Sequence, residues 1–277
     1  MDARLDAEQH HLRLRMGPIS VIALNDRAHL EAFSVDERLA AHVRTYWTLR
    51  VDLPPAKLRI VPDGQVDLVF DLLRGEAHVA GAREAPFEVI HDQPTSLLGV
   101  SLLPGSASSL LGVPAGALSA EWAPLSDTLG PIATALVERL QSAASPSVRL
   151  GLIEAFLLAR LGNKDARVER ALRAIDASQG TIDIARLGRD SGASPRNLGR
   201  LFHEWVGLSP KRFARIVRAQ AALRRLAAEP TTDLSALAAE LGFADHAHLT
   251  REVRAVAGAA PSRLAEMFKR TSDPFKS

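Results

Sequence analysis

The strongest constraint on what this chain can fold into is a pattern written twice between Thr181 and Pro261. The first copy, from Asp183, reads DIARLGRDSGASPRNLGRLFHEWVGLSP. The second, from Asp233, reads DLSALAAELGFADHAHLTREVRAVAGAAP. An offset of 50 residues superposes Asp183 on Asp233, Leu187 on Leu237 and Gly192 on Gly242. After one extra residue in the second turn, Leu198 falls on Leu249, Arg200 on Arg251, Gly207 on Gly258 and Pro210 on Pro261. Self-similarity at a fixed period marks repeated supersecondary units, and each copy here has the content of two helices joined by a tight turn.

In the first copy the leading helix follows Thr181 and buries Ile184 and Leu187. Gly192 permits the sharp turn, because it takes a positive φ without a Cβ penalty. Ser194 is a good N-cap, and Pro195 suits the first helical position. The helix that follows places Leu198, Leu201, Phe202 and Trp205 at i, i+3, i+4 and i+7, which leaves Arg196, Gly199, Arg200 and His203 as an outward stripe. In the second copy Leu234, Leu237 and Leu241 face inward, Gly242-Phe243 turns, and Asp245 caps a helix that buries Leu249, Val253 and Val256. Its outward stripe is Ala247, Thr250, Arg251 and Arg254, with His246 at the N-terminal edge. The first copy has the cleaner cap and two groove-facing arginines. Between the copies, Pro210 to Glu229 reads as one helix of about 20 residues, spanning about 30 Å. Its apolar side is Phe213, Ile216, Val217, Ala221, Leu223 and Leu226. Lys211, Arg212, Arg215, Arg218, Arg224 and Arg225 supply charge for phosphates or acidic neighbours.

The stripes suit a major groove. Arginine bridges O6 and N7 of guanine in a bidentate pair worth roughly 1–3 kcal/mol of discrimination. Threonine meets a thymine methyl or a phosphate, and histidine can do either. Gly199 allows close approach to the bases at a cost in helix stability of up to about 1 kcal/mol. A linker of about 30 Å can hold two reading helices about one DNA turn apart, the roughly 34–36 Å between successive major grooves. Ser194, His203, Lys211, Arg212 and Arg254 are the expected phosphate contacts. The charge distribution agrees. The chain's net charge is only +2, but the first 163 residues carry 14 basic and 19 acidic side chains and the remainder 20 and 13. The basic half is the one suited to a polyanion.

Residues 1–125 read differently. After a polar leader come short β-like runs at Ser20 to Leu24, Val43 to Val51, Leu58 to Val61, Gln65 to Leu73, Ala77 to Ala80, Phe87 to Ile90 and Ser96 to Leu103. Pro62-Asp63-Gly64 predicts a hairpin between the third and fourth runs. In the fourth, Val66, Leu68, Phe70 and Leu72 alternate with Asp67, Val69 and Asp71, which puts an apolar set on one sheet face and carboxylates on the other, a solvated face being the plain expectation. Strands at this spacing make a sandwich or small barrel, a shape that can hold one small molecule. Tyr46, Trp47 and Trp122 could stack on a ligand or simply fill the core. Residues 126–163 form a helical connector: Ile132, Leu136, Val137 and Leu140 stripe one helix, and Leu150, Ile153, Phe156, Leu157 and Leu161 a second from about Ser147 to Leu161. These faces pack on the sheet or form a dimer surface. A supporting helix from Arg167 to Ala177 opens the unit at 164–270, and 271–277 is a tail. The fold class is therefore α+β in two domains.

Composition removes whole classes of function. With no cysteine there are no disulfides, thiolate metal sites or thiol nucleophiles. His78 and His91 stand alone, and His246 and His248 point in different directions on a helix, so no metal is expected. No phosphate-cradling glycine loop, GxSxG elbow or HExxH pattern occurs, and neither a catalytic residue nor a cofactor is expected. A charged N-terminus and the lack of an apolar run of about 20 residues argue for a cytoplasmic protein without a membrane span.

The stretch from about Lys164 to Lys269 resembles the DNA-binding domain of the AraC/XylS family of bacterial transcription regulators. The residues that carry the resemblance are Gly192, Leu198, Arg200, Leu201, Phe202, Gly207-Leu208-Ser209-Pro210, Phe213 and Arg218, then Leu237-Ala238, Leu241-Gly242-Phe243, Asp245, Leu249, Arg251, Gly258 and Pro261. It implies base reading by the second helix of each unit, at Arg196, Gly199 and Arg200, then His246, Ala247, Thr250 and Arg251, on double-stranded DNA across two successive major grooves. Gly199 and Ala247 stand where a polar side chain is expected, and fewer base contacts in each groove imply looser sequence choice; Pro261-Ser262-Arg263-Leu264-Ala265 replaces a Pro-x-x-Tyr-Arg pattern. Arg59 to Gly64 (RIVPDG) and Leu103-Pro104-Gly105 resemble a degenerate cupin-like sensor half. The resemblance thus implies a nucleoid-associated, ligand-responsive regulator, with RNA polymerase, a small-molecule effector and a second copy as partners. The alternative is a constitutive or architectural DNA binder whose N-terminal half only dimerises. An alkylation-repair enzyme on the same framework needs a cysteine acceptor.

Overall fold

The computed structural model describes residues 20–118 and 122–271. The expected polar leader and the tail after 271 lie outside them.

The N-terminal half holds two antiparallel sheets. The larger runs β2 (His29–Phe33), β3 (Val43–Val51), β8 (Thr95–Leu102), β5 (Val66–Asp71), β6 (Glu76–Ala80), β9 (Trp122–Pro124). The smaller runs β1 (Val21–Ala23), β4 (Ala56–Ile60), β7 (Phe87–His91). The expected runs all appear, with ends shifted by up to two residues. The two strands the sequence did not announce are β2, whose first three residues are exposed, and β9, only three residues long. The hairpin expected across Pro62-Asp63-Gly64 is overturned. β4 pairs with β1 and β7, whereas β5 pairs with β6 and β8, so this turn carries the chain from one sheet to the other.

The alternation in β5 holds, but both faces are covered. Val66, Leu68 and Phe70 join one core with Leu136, Val137, Leu140, Ile153 and Leu157. Those residues come from α3 (Pro131–Ser142) and α4 (Pro146–Leu158), which follow the short helices α1 (Ala107–Leu111) and α2 (Ser126–Leu129). The connector therefore packs on the large sheet, although Ile132 and Leu161 remain 51% and 40% exposed rather than buried. α4 stops at Leu158, before Leu161 can turn inward. The carboxylate face meets the small sheet instead of water: Val69 packs with Leu49, Leu97 and Leu58, the last from β4, and Asp71 is buried. Two-sided burial makes each carboxylate on that face depend on a protein partner.

The C-terminal half is all helix: α5 (Ala166–Ala177), α6 (Ile184–Ser191), α7 (Pro195–Val206), α8 (Pro210–Ala228), α9 (Leu234–Glu240), α10 (His246–Ala257) and α11 (Pro261–Thr271). Residue for residue, 181–190 and 231–240 share one succession of exposed, half-buried and buried positions, so the repeat seen in letters is a repeat in burial. Each unit has its own core. The first gathers Val168, Leu187, Leu198, Leu201 and Phe202, while the second gathers Leu237, Leu241, Leu249, Val253 and Val256. Trp205, expected in the first core, is only half-buried, and Val206 fills the position beside it.

Candidate nucleic-acid interface

Both helix-turn-helix units are built from caps. Asp183 and Asp233 accept hydrogen bonds from the backbone N–H of Arg186 (2.8 Å) and Ser235 (2.9 Å). The helix after each turn starts the same way: Ser194 Oγ accepts from Asn197 N at 3.3 Å, and Asp245 Oδ1 from His248 N at 2.6 Å. The second cap is thus the shorter and is charge-assisted, contrary to the expectation that the first copy is better capped. The hydrogen bond to His248 N, above all, holds the Asp245 carboxyl below its usual range. Gly192 and Gly242 make the two turns at φ +75° and +68°.

The outward stripes stand where the helical spacing put them. On α7, Arg196, Arg200 and His203 are exposed. Gly199 is half-exposed, with nothing within 4 Å of the place a Cβ would occupy. Arg200 Nη1 donates to Glu204 Oε2 at 2.9 Å and Nη2 to Asn197 Oδ1 at 3.3 Å, so its guanidinium lies along the helix surface. On α10, His246, Arg251 and Arg254 are exposed, and Ala247 and Thr250 half-exposed. His248 turns inward from this row, with Nδ1 accepting from Ala244 N and its ring edge-on to Phe243. Among the described residues no group of three or more His, Asp or Glu is arranged to hold a metal ion.

The charges of α8 are largely committed inside the protein. Arg215 pairs with Glu252 and Arg225 with Glu240, while Arg218 Nη2 donates to Gly180 O at 2.7 Å. Burial lowers the pKa of Arg224. Lys211 is exposed. Arg212 Nη1 meets Glu84 Oε1 of the N-terminal half at 2.5 Å, and His203 lies against Gly116. Sequence periodicity does not reveal these partners, because they come from elements far away in the chain.

A second feature lies between the two sheets. A cleft of about 510 Å³ has Val69, Leu97, Val89, Phe87 and Trp122 on its apolar walls, with His78, His91, Glu88 and the Asp71–Arg74 ion pair (2.7 Å) at its polar edge. The two histidines that stand alone in sequence come together here because β6 and β7 both face this space. His78 packs edge-on to Trp122 at 5.6 Å, and burial lowers the pKa of His91. Of the aromatics weighed as ligand platforms, Tyr46 is wholly buried core, and Trp47 lies across Gly99, where a Cβ would stand 2.0 Å from its ring. Only Trp122 borders the cleft. Beyond Trp47, Ser101 Oγ (2.5 Å) and Trp47 Nε1 (3.4 Å) both donate to Asp67.

This architecture, two capped helix-turn-helix units behind a β-rich half, defines a class of DNA-binding regulator. A helix-turn-helix domain model matches residues 187–267, and a domain of unknown function (DUF6597) matches residues 32–123. A probable AraC family transcriptional regulator from Rhodopseudomonas palustris is 30% identical, over 39% of this chain and all of that one, with a TM-score of 0.34. The chain belongs to the AraC family of transcription regulators. ToxT from Vibrio cholerae is similar at 11% identity, over 90% of this chain and 98% of that one, with a TM-score of 0.40. A structure of ToxT bound to an unsaturated fatty acid gives 12%, 90%, 94% and 0.40 in the same order. No curated protein sequence matches significantly. Among the described residues, no helix is long and apolar enough to cross a membrane.

Proposed function

We propose that this regulator reads two successive major grooves with α7 and α10. Arg196, Gly199 and Arg200 face bases in one groove, and His246, Ala247, Thr250 and Arg251 face bases in the other. The observation that carries this reading is the equivalence of Arg200 and Arg251: each is exposed and sits at the matching position of a capped helix with its own core. Ser194, Lys211 and Arg254 are exposed, which supports them as phosphate contacts. His203 and Arg212 join them only when the N-terminal half releases the contacts described above. Arg200→Ala and Arg251→Ala each weaken binding by about 1–3 kcal/mol and relax choice at one base position, whereas Lys211→Ala weakens all sequences alike. Binding-site selection on the purified full chain tests this. A selection that Arg200→Ala leaves unchanged removes α7 from the groove.

The cleft supports a ligand-responsive regulator over a constitutive one. Its volume suits a small molecule, and its walls join apolar surface to a few polar groups. An effector acts by binding one arrangement of the chain better than another, so operator affinity measured against added metabolites must shift for the true one. The outward face of α4 supports a homodimer. Val148 is 48% exposed, and the exposed Gly151 and Ala155 continue its row into a small apolar strip. Val148→Asp shifts the sedimentation coefficient to that of a monomer; unchanged sedimentation sends the interface elsewhere.

A further inference from the structure

The N-terminal half grips the two repeats at equivalent points. Gly207 closes α7 and Gly258 closes α10, at φ +83° and +72°, and these two glycines superpose in the sequence repeat. A Cβ on Gly207 would stand 3.2 Å from Ala115 O and 3.8 Å from Ala82 Cβ. On Gly258 it would stand 3.2 Å from both Arg59 Cδ and Pro86 Cγ. All four neighbours belong to the N-terminal half. Close by, Ser108 Oγ donates to Glu204 O of α7 at 2.8 Å.

Between the grips, α8 rests on the Pro62-Asp63-Gly64 turn. Gln220 Nε2 donates to Pro62 O at 2.7 Å in a fully buried bond, and a Cβ on Gly64 would come within 2.4 Å of the Phe213 ring. Val61 and Ile22 enter the core of the second unit. The glycine contacts fall at the C-terminal ends of the reading helices and those of Pro62 and Gly64 on the linker, while Arg196, Arg200, His246 and Arg251 stay exposed.

From this we infer that the N-terminal half is a clamp that fixes the separation and rotation of α7 and α10, and so determines which half-site spacing the protein accepts on DNA. The inference rests on the reading of α7 and α10 as the base-reading helices. A single helix between two units leaves a non-helical joint at each end, at 207–209 and at 229–233. Bridging both units with one sheet domain removes the relative motion those joints allow. Two linked modules then meet a second site at high effective concentration at one spacing and poorly at others. The grip also touches the cleft, because Arg59 Nη2 holds Glu88 Oε1 at 2.7 Å and Glu88 borders the cleft.

The test uses the full chain and duplexes carrying the selected half-sites, their centre spacing stepped one base pair at a time, with one duplex whose second half-site is scrambled. Wild-type affinity peaks at one spacing. Gln220→Ala and Arg59→Ala, neither on a reading face, lower affinity at that peak about tenfold and flatten the profile. Binding to the single half-site stays within about twofold. Arg59→Ala, at the rim of the second grip, carries the test if Gln220→Ala does not fold. An unchanged spacing profile in the variants, an equal loss on the single half-site, or a wild type indifferent to spacing overturns the clamp. Failure of the reading itself looks different: Arg200→Ala and Arg251→Ala then leave the selected half-sites unaltered.

Discussion

At the residue scale the informative groups are the carboxylates of the 63–71 stretch. Burial pushes the Asp67 carboxyl up to about 7. The nearby Asp63 adds to the rise, against hydrogen bonds from Ser101 and Trp47. Burial also raises Asp63, against bonds from Ser20 Oγ and Gln65 N and the attraction of Arg44. A carboxyl whose pKa is higher folded than unfolded holds its proton better in the fold. Its contribution to stability is full below about pH 4 and is lost as pH rises toward 7. Asp67→Asn keeps the shape and the acceptor oxygen without the charge. We expect it to flatten the fall in stability between pH 5 and pH 8 and to add about 1–3 kcal/mol at pH 8. Urea unfolding at the two pH values measures this, and an undiminished fall would assign the pH dependence to other groups. The alternation of β5 predicted which face Asp67 occupies. That the small sheet covers this face was not legible, because β4 and β7 reach it from other parts of the chain.

At the scale of elements, caps and turns were the most readable features, since each depends on residues three or four apart. Ser194 and Asp245, read as caps from the sequence, do cap the helices that follow, and Ser145, Asp165, Asp183, Ser209 and Asp233 use the same local chemistry. Their ranking was not readable, because it rests on ångström-level geometry. From the 2.6 Å and 3.3 Å bonds we expect Asp245→Ala to cost about 1–2 kcal/mol and Ser194→Ala about 0.5–1 kcal/mol of stability. Thermal unfolding of the two variants gives the order; equal losses would mean that cap length does not decide it. The Pro62-Asp63-Gly64 turn shows the opposite case. Its chemistry announced a break between two strands but not a hairpin, because turn residues do not say whether the strands they join will pair with each other. Here the turn changes sheets, and the carbonyl of Pro62 is taken by Gln220.

At the scale of the whole molecule, the domains share structure. The second unit's core includes Ile22 and Val61, and Arg212 reaches Glu84 across the boundary. The salt response of binding follows from this. Glu84→Ala frees Arg212, so affinity for DNA rises at low salt and log K falls more steeply with log salt, by up to about one phosphate's worth of slope. A slope identical to wild type would mean that Arg212 takes no part in phosphate binding.

The sequence by itself determined the doubled unit: its helices, turns and caps, and the stripe of arginines on each second helix. All of these follow from periodicity and local chemistry within a few residues. It also determined the alternating β-rich half and the acidic and basic division of the chain. Only the tertiary structure decided the pairing of β4 away from β5, the meeting of His78 and His91 at one cleft, the pairing of Arg212, Arg215 and Arg225 with glutamates, and the seating of Gly207 and Gly258 on the N-terminal half. These contacts join residues up to about 200 positions apart. They depend on which faces the packed sheets and helices present to each other, a choice that hydrophobic burial makes for the whole chain at once.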